Sequence, residues 1–184
     1  MKTELILIDI QNDYFPGGKM ELDGSVDASE NAKRLLSFFR ENDLPLVHIQ
    51  HVAPKPTATF FLPDTDGVKT HESVKPLEGE TLFQKHYPNS FRNTPLLDHL
   101  KRDQIEQVVI AGMMTHMCVD ATTRAAFDFG FQCLIADDAC ATKSLTHGGR
   151  IVPADHVHRA FLAALNGTYG KVLTTAEIIR SLGK

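Results

Sequence analysis

The sequence predicts an α/β fold, doubly wound around a mostly parallel six-stranded sheet with helices on both faces, on three observations. Short uninterrupted apolar runs, at residues 5–8 and 108–111, read as strands covered on both faces. They alternate with stretches whose apolar residues recur at helical spacing, the pattern of β-α-β units. The 184 residues, 42% hydrophobic and 23% charged, carry no internal repeat, so one domain over residues 1–184 is expected.

The first strand ends at Asp9, and residues 11–24, with Pro16, Gly17, Gly18 and Gly24, form a loop long enough to be functional. A capping box at Asp27 and Glu30 is expected to start a helix carrying Leu35, Leu36, Phe38 and Phe39 to about Asn42. Residues 45–50 read as the second strand. Residues 52–80 are a long excursion rich in Pro, Gly, Thr and charge, of the kind that serves as a lid or an oligomer contact. A short third strand follows at 81–85, then a helix capped by Thr94 with Pro95 at its first position.

The central stretch is a fourth strand at 108–111 turning sharply into a helix that runs from Thr115 to Gly130. A fifth strand at 131–136 ends in Asp137 and Asp138. Pro153 opens a further helix, and residues 171–174 form the sixth strand before a capping box at Thr174 and Glu177.

The net charge of −4, with 19 Lys and Arg scattered along the chain, argues against a nucleic-acid partner and for a small neutral or weakly charged ligand. The N-terminal apolar run is too short for a signal sequence and no run reaches membrane-spanning length, so a cytoplasmic protein with no membrane partner is expected. Cys118, Cys133 and Cys140 fit neither a disulfide framework nor a Cys-x-x-Cys metal spacing. Cys118 falls in the first turn of its helix, where unpaired N–H groups are expected to lower a thiol pKa; plain burial is the alternative. In a sheet of order 3-2-1-4-5-6 the ligand crevice lies between the first and fourth strands, which brings Asp9 and Cys118 together.

Three separated segments carry a resemblance: residues 7–15 (Leu-Ile-Asp9-Ile-Gln-Asn-Asp13-Tyr-Phe), residues 83–91 around Lys85 and Ser90, and residues 112–119 (Gly-Met-Met-Thr115-His-Met-Cys118-Val), with Thr122, Gly130 and residues 138–141 beyond them. Over nearly its whole length the chain resembles the isochorismatase-like cysteine hydrolases, a superfamily that includes nicotinamidases and a streptothricin-hydrolase-like branch. The resemblance implies a triad of Cys118 as nucleophile, Asp9 as proton carrier and Lys85 as electrostatic tie. It also implies a cis peptide at Met113–Met114 and an oxyanion hole from the Met114 and Cys118 N–H groups. The implied chemistry is hydrolysis of a small amide, lactam or carbamoyl substrate through a thioester. Hydrolysis of a vinyl ether, or a non-catalytic binding or redox role for Cys118, are the alternatives. The family habit and the 52–80 excursion suggest a homo-oligomer, dimer or tetramer.

Phe15, Tyr87, Phe91 and His116 are candidates for the substrate pocket; Phe60 and Phe61 could wall it. No cofactor and no metal are expected: nicotinamidase relatives use an Asp-x-His motif, whereas this chain has His48 and His51, which face opposite sides of a strand, and His71 in the loop. Asp13 is expected to shape its loop, His156 and His158 to lie at the surface, and Cys133 and Cys140 to pack.

Overall fold

The computed structural model describes residues 1–54 and 57–183; residues 55 and 56 of the excursion lie outside it. Its strands are β1 (Thr3–Ile8), β2 (Leu46–His51), β3 (Thr81–Lys85), β4 (Gln107–Met113), β5 (Gln132–Ala141), β6 (Leu145–His147), β7 (Arg150–Val152) and β8 (Lys171–Leu173). Its helices are α1 (Ser25–Glu41), α2 (Leu96–Arg102), α3 (Asp120–Asp128), α4 (Ala154–Leu165) and α5 (Thr175–Leu182). Six strands form one sheet in the order β3-β2-β1-β4-β5-β8, every neighbouring pair parallel. The expected sixth strand is β8.

Strand alternation explains why β1 is buried throughout. Leu5 and Leu7 pack with Leu35, Leu36 and Phe39 of α1 and Ile178 of α5, whereas Ile6 and Ile8 pack on the opposite face with Leu96 and Leu100 of α2, Ala126 of α3 and Leu162 of α4. Each of the Leu, Ile and Phe side chains contributes about 1.5–3 kcal/mol by leaving water. Among the described residues no helix is long and apolar enough to cross a membrane.

Three local features differ from the sequence expectation. Gly24, in the left-handed region at φ 74°, is the N-cap of α1, so the helix begins before the expected box and Asp27 sits in its first turn. Residues 145–152 form an antiparallel hairpin, β6–β7, closed by Gly148 and Gly149 at φ 56° and 73°. Two successive positive φ angles are what a two-residue hairpin turn of matching twist requires, and only glycine adopts them freely. β5 runs on to Ala141 and bulges between Ile135 and Cys140, which turns the Asp138 carboxylate onto Thr175 N at 2.8 Å and Thr175 Oγ1 at 2.7 Å. That contact ties the start of α5 to the sheet. At the other end of the chain's expectation, the Thr174–Glu177 capping box forms as predicted.

β1 and β4 meet closely at their C-terminal ends, Ile8 opposite Gly112. Gly112 has φ 136°, and a Cβ there would lie 2.0 Å from the Ile8 carbonyl oxygen, immediately before Asp9. Gly112→Ala should therefore cost about 3 kcal/mol or more in urea unfolding. Gly130→Ala, at φ 92° with nothing within 4 Å of the added carbon, should cost only about 1 kcal/mol.

Candidate active site

The C-terminal ends of β1, β2, β3 and β4 lie side by side, and each delivers one polar side chain or turn to the same place. Asp9 follows β1 with φ 51°, its N–H donated to the Ile49 carbonyl at 3.0 Å. Lys85 is the last residue of β3 and His51 the last of β2, the two in register. Cys118 lies in a wide turn, Thr115–Val119, between β4 and α3; the Met113–Met114 peptide bond leading into it is cis. The turn closes through Val119 N donating to the Met114 carbonyl at 3.2 Å.

β1 and β3 stand two strand spacings apart, about 9.6 Å. Only a long side chain can cross that gap, and Lys85 does, placing its ammonium 2.7 Å from Asp9 Oδ2. Both side chains are 0% exposed. The same ammonium lies 3.2 Å from His51 Nδ1 and donates to the carbonyls of Tyr87 at 3.0 Å and Pro88 at 3.3 Å. Donor atoms of Asp9, His51 and Cys118 all lie within 4.8 Å of one another. The Lys85 ammonium and the Cys118 thiol both lie against this buried carboxylate, which is otherwise sealed from water.

The loop after β1 frames these groups. Gln11, fully buried, clamps the end of β2 from both sides, its Nε2 donating to the His51 carbonyl at 2.9 Å and its Oε1 accepting from His51 N at 2.8 Å. Asp13 accepts from Lys19 N at 3.1 Å and Phe61 N at 2.6 Å, and so shapes the loop and pins the excursion to it. Tyr14 is buried with its ring edge-on to Phe61 at 4.6 Å. Burial, then the nearby Cys118 and Asp9, push its phenol well above the ordinary range.

A sequence profile of the isochorismatase domain matches residues 3–177. The chain belongs to the isochorismatase family. An isochorismatase family protein of Bacillus subtilis (strain 168) is 51% identical over 180 residues, 98% of this chain and 100% of that one. A solved structure assigned to the isochorismatase hydrolases, from Oleispira antarctica, superposes with a TM-score of 0.93 at 48% identity, covering 97% of this chain and 96% of the other. The maleamate amidohydrolase of Pseudomonas putida is 25% identical over 195 aligned residues, 98% of this chain and 87% of that enzyme.

This isochorismatase-family hydrolase departs from the sequence expectation at its thiol. Burial first, and then the Asp9 carboxylate, push Cys118 far above the usual thiol range, with Lys85 working against them. The expected lowering fails because the residue is only 3% exposed and because α3 begins at Asp120, past the wide turn. A desolvated thiol beside an anion keeps its proton. For Lys85, burial would depress the ammonium, but the Asp9 carboxylate opposes it and the pKa stands above its ordinary value.

Of the pocket candidates, Phe15 stacks on His71 with ring centres 3.5 Å apart and lines a cavity of about 980 Å3 between residues 12–19 and 59–76. Asp9, Lys85 and Cys118 are not among the residues lining that cavity. Tyr87 lies under the Arg92 guanidinium, 3.7 Å from its ring centre, and touches the site through its carbonyl. Phe91 instead packs against Phe129 and Phe131, because residues 86–95 fold back toward the α3 face of the sheet. The His116 ring is taken up by Thr142 Oγ1 and the edge of Phe161. His158 is half-buried rather than at the surface, its Nδ1 2.9 Å from the buried Thr115 hydroxyl, because α4 packs on the Cys118 turn. Cys133 and Cys140 are buried, and burial drives both thiols up to about 12.

Asp9, His51 and Cys118 have a spacing that a metal ion would accept, yet the residues do not fit one. The Lys85 ammonium already stands 2.7 Å from the carboxylate and 3.2 Å from the imidazole, so a second cation would meet it at close range. His48 is turned to Glu80 at 3.0 Å and His71 to Phe15 and Ser73. Sequence reasoning missed His51 because it weighed His48 and His51 only as a ligand pair. The signal was the strand order, which puts the end of β2 between those of β1 and β3.

Burial first, with Lys85 adding to it and Asp9 opposing, lowers the His51 pKa from 6.5 to about 4. Between those values the unfolded chain binds a proton that the folded one refuses, so stability present above 6.5 is lost as the pH falls through about 4. Urea unfolding at pH 7 and pH 4.5 should show a smaller loss on acidification for His51→Asn than for the unsubstituted protein.

Proposed function

We propose that this hydrolase is a metal-independent cysteine amidohydrolase acting on a small amide, lactam or carbamoyl compound. The observation that carries the reading is a fully buried carboxylate placed within 4.8 Å of the Cys118 sulfur and paired with Lys85 at 2.7 Å. A neutral thiol beside a buried carboxylate is a proton source for it. In the proposed reaction Asp9 takes the Sγ proton as the sulfur bonds to the substrate carbonyl carbon. The tetrahedral oxyanion is received by the N–H groups of Met114 and Cys118. Asp9 returns the proton to the nitrogen as the C–N bond breaks, leaving an acyl thioester on Cys118 and releasing the amine.

Water then repeats the sequence. Asp9 accepts a proton from it as oxygen attacks the thioester, the C–S bond breaks, and the thiol recovers that proton. Lys85 remains protonated throughout and offsets the charge that moves between carboxylate and sulfur. For substrate contacts the reading keeps Phe15, whose ring lines the cavity between residues 12–19 and 59–76, and Tyr87, whose carbonyl reaches Lys85. The similarity to the maleamate amidohydrolase supports an amide over a vinyl ether, as does the presence of a thiol, which protonation of an enol ether does not need. The reading also takes the protein as cytoplasmic and homo-oligomeric; Ile151, 72% exposed on the β6–β7 hairpin, offers an apolar surface for a second copy.

Incubation with a panel of primary amides, followed by intact-mass measurement, should trap an acyl adduct that maps to Cys118. Cys118→Ala should abolish turnover with little change in the urea midpoint, and Asp9→Asn should lower kcat by about 10²–10⁴. Undiminished hydrolysis by Cys118→Ala would overturn the reading.

A further inference from the structure

We propose that His51 is a positioning residue that holds the Lys85 ammonium against Asp9 and Cys118 through its Nδ1 atom. The inference rests on the cysteine amidohydrolase reading and extends it to a fourth side chain. Lys85 must pass the whole width of β2 to reach Asp9, and an ammonium on a flexible four-carbon stem has no fixed direction of its own. Its neighbours are the Asp9 carboxylate, the carbonyls of Tyr87 and Pro88, and His51 Nδ1 at 3.2 Å. The two carbonyls draw it toward the segment after β3. His51 stands between that segment and Asp9, and among these neighbours it is the side chain that rises from the crossed strand itself.

The imidazole is itself held in place. Gln11 grips the His51 backbone at both its N–H and its carbonyl, and the Phe61 ring lies 5.8 Å from the imidazole centre. Burial keeps the ring neutral, which leaves one nitrogen to accept and one to donate. With Nδ1 accepting from Lys85, the proton resides on Nε2. A charged imidazole here would face Lys85 as a second cation, with His86 also within electrostatic reach, and burial together with these two outweighs the nearby Asp9 carboxylate. The neutral ring is therefore the form that fits this position.

Three substitutions separate the ways in which His51 could matter. Asn places an amide atom where Nδ1 stands, Gln places one where Nε2 stands, and Phe keeps the ring without either nitrogen. His51→Asn should retain kcat within about threefold, whereas His51→Gln and His51→Phe should lose at least about tenfold in kcat with KM changed by less than about threefold. The rate at which iodoacetamide alkylates Cys118, resolved by peptide mass, should rank the three variants in the same order. That second readout needs no substrate, so it tests His51 even if no panel amide is turned over. Full kcat and alkylation rate in His51→Phe would mean that the ring only packs, and rescue by Gln but not by Asn would assign the role to Nε2; either result overturns the proposal.

Discussion

A charge pair sealed from water governs this molecule. Asp9 and Lys85 meet at 2.7 Å with neither side chain exposed, at the end of the most deeply buried strand of the sheet. Either charge alone would be strongly disfavoured there, since removing one partner of such a pair commonly costs about 3–5 kcal/mol. The pair is therefore kept intact by everything around it. The Cys118 thiol lies beside this pair, within 4.8 Å of the carboxylate.

The parallel sheet makes this arrangement possible. Four neighbouring strand ends deliver Asp9, His51, Lys85 and the Cys118 turn within the width of three strand spacings, and the two faces of the sheet are closed by α1 and α5 on one side and α2, α3 and α4 on the other. Gly112 permits β1 and β4 to approach until a Cβ would touch the Ile8 carbonyl. Gln11 and Asp13, two positions apart in one loop, fix the end of β2 and the start of the excursion. Stability and the site thus share the same contacts.

The strand order, the two-faced burial of β1 and β4, and the convergence of Asp9 with Cys118 were legible because each follows from apolar runs and topology. Lys85 was legible only through the motif around it, since a lysine that crosses a strand looks like any surface lysine in a sequence. The sign of the Cys118 shift was not legible: position at a helix start argues for a low pKa, and only the folded burial beside Asp9 reverses it. The surroundings of Phe91, His116 and His158 were not legible for a related reason. Residue type and spacing do not say which side of the sheet a loop returns to, nor that α4 lies over the turn after β4. The hairpin at residues 145–152 carried its signal in Gly148 and Gly149, but its strands are too short to show an alternating pattern.

The proposed reaction requires that Cys118 start as a neutral thiol with its proton beside the Asp9 carboxylate. Measuring the pH dependence of Cys118 alkylation in the unsubstituted protein and in Asp9→Asn tests it most directly. The account predicts a thiol still protonated at neutral pH in the former, and in the latter an alkylation midpoint lower by at least about one pH unit, since Lys85 then acts on the sulfur unopposed. A thiolate already formed at neutral pH with Asp9 in place, or a midpoint that Asp9→Asn leaves unmoved, would contradict it.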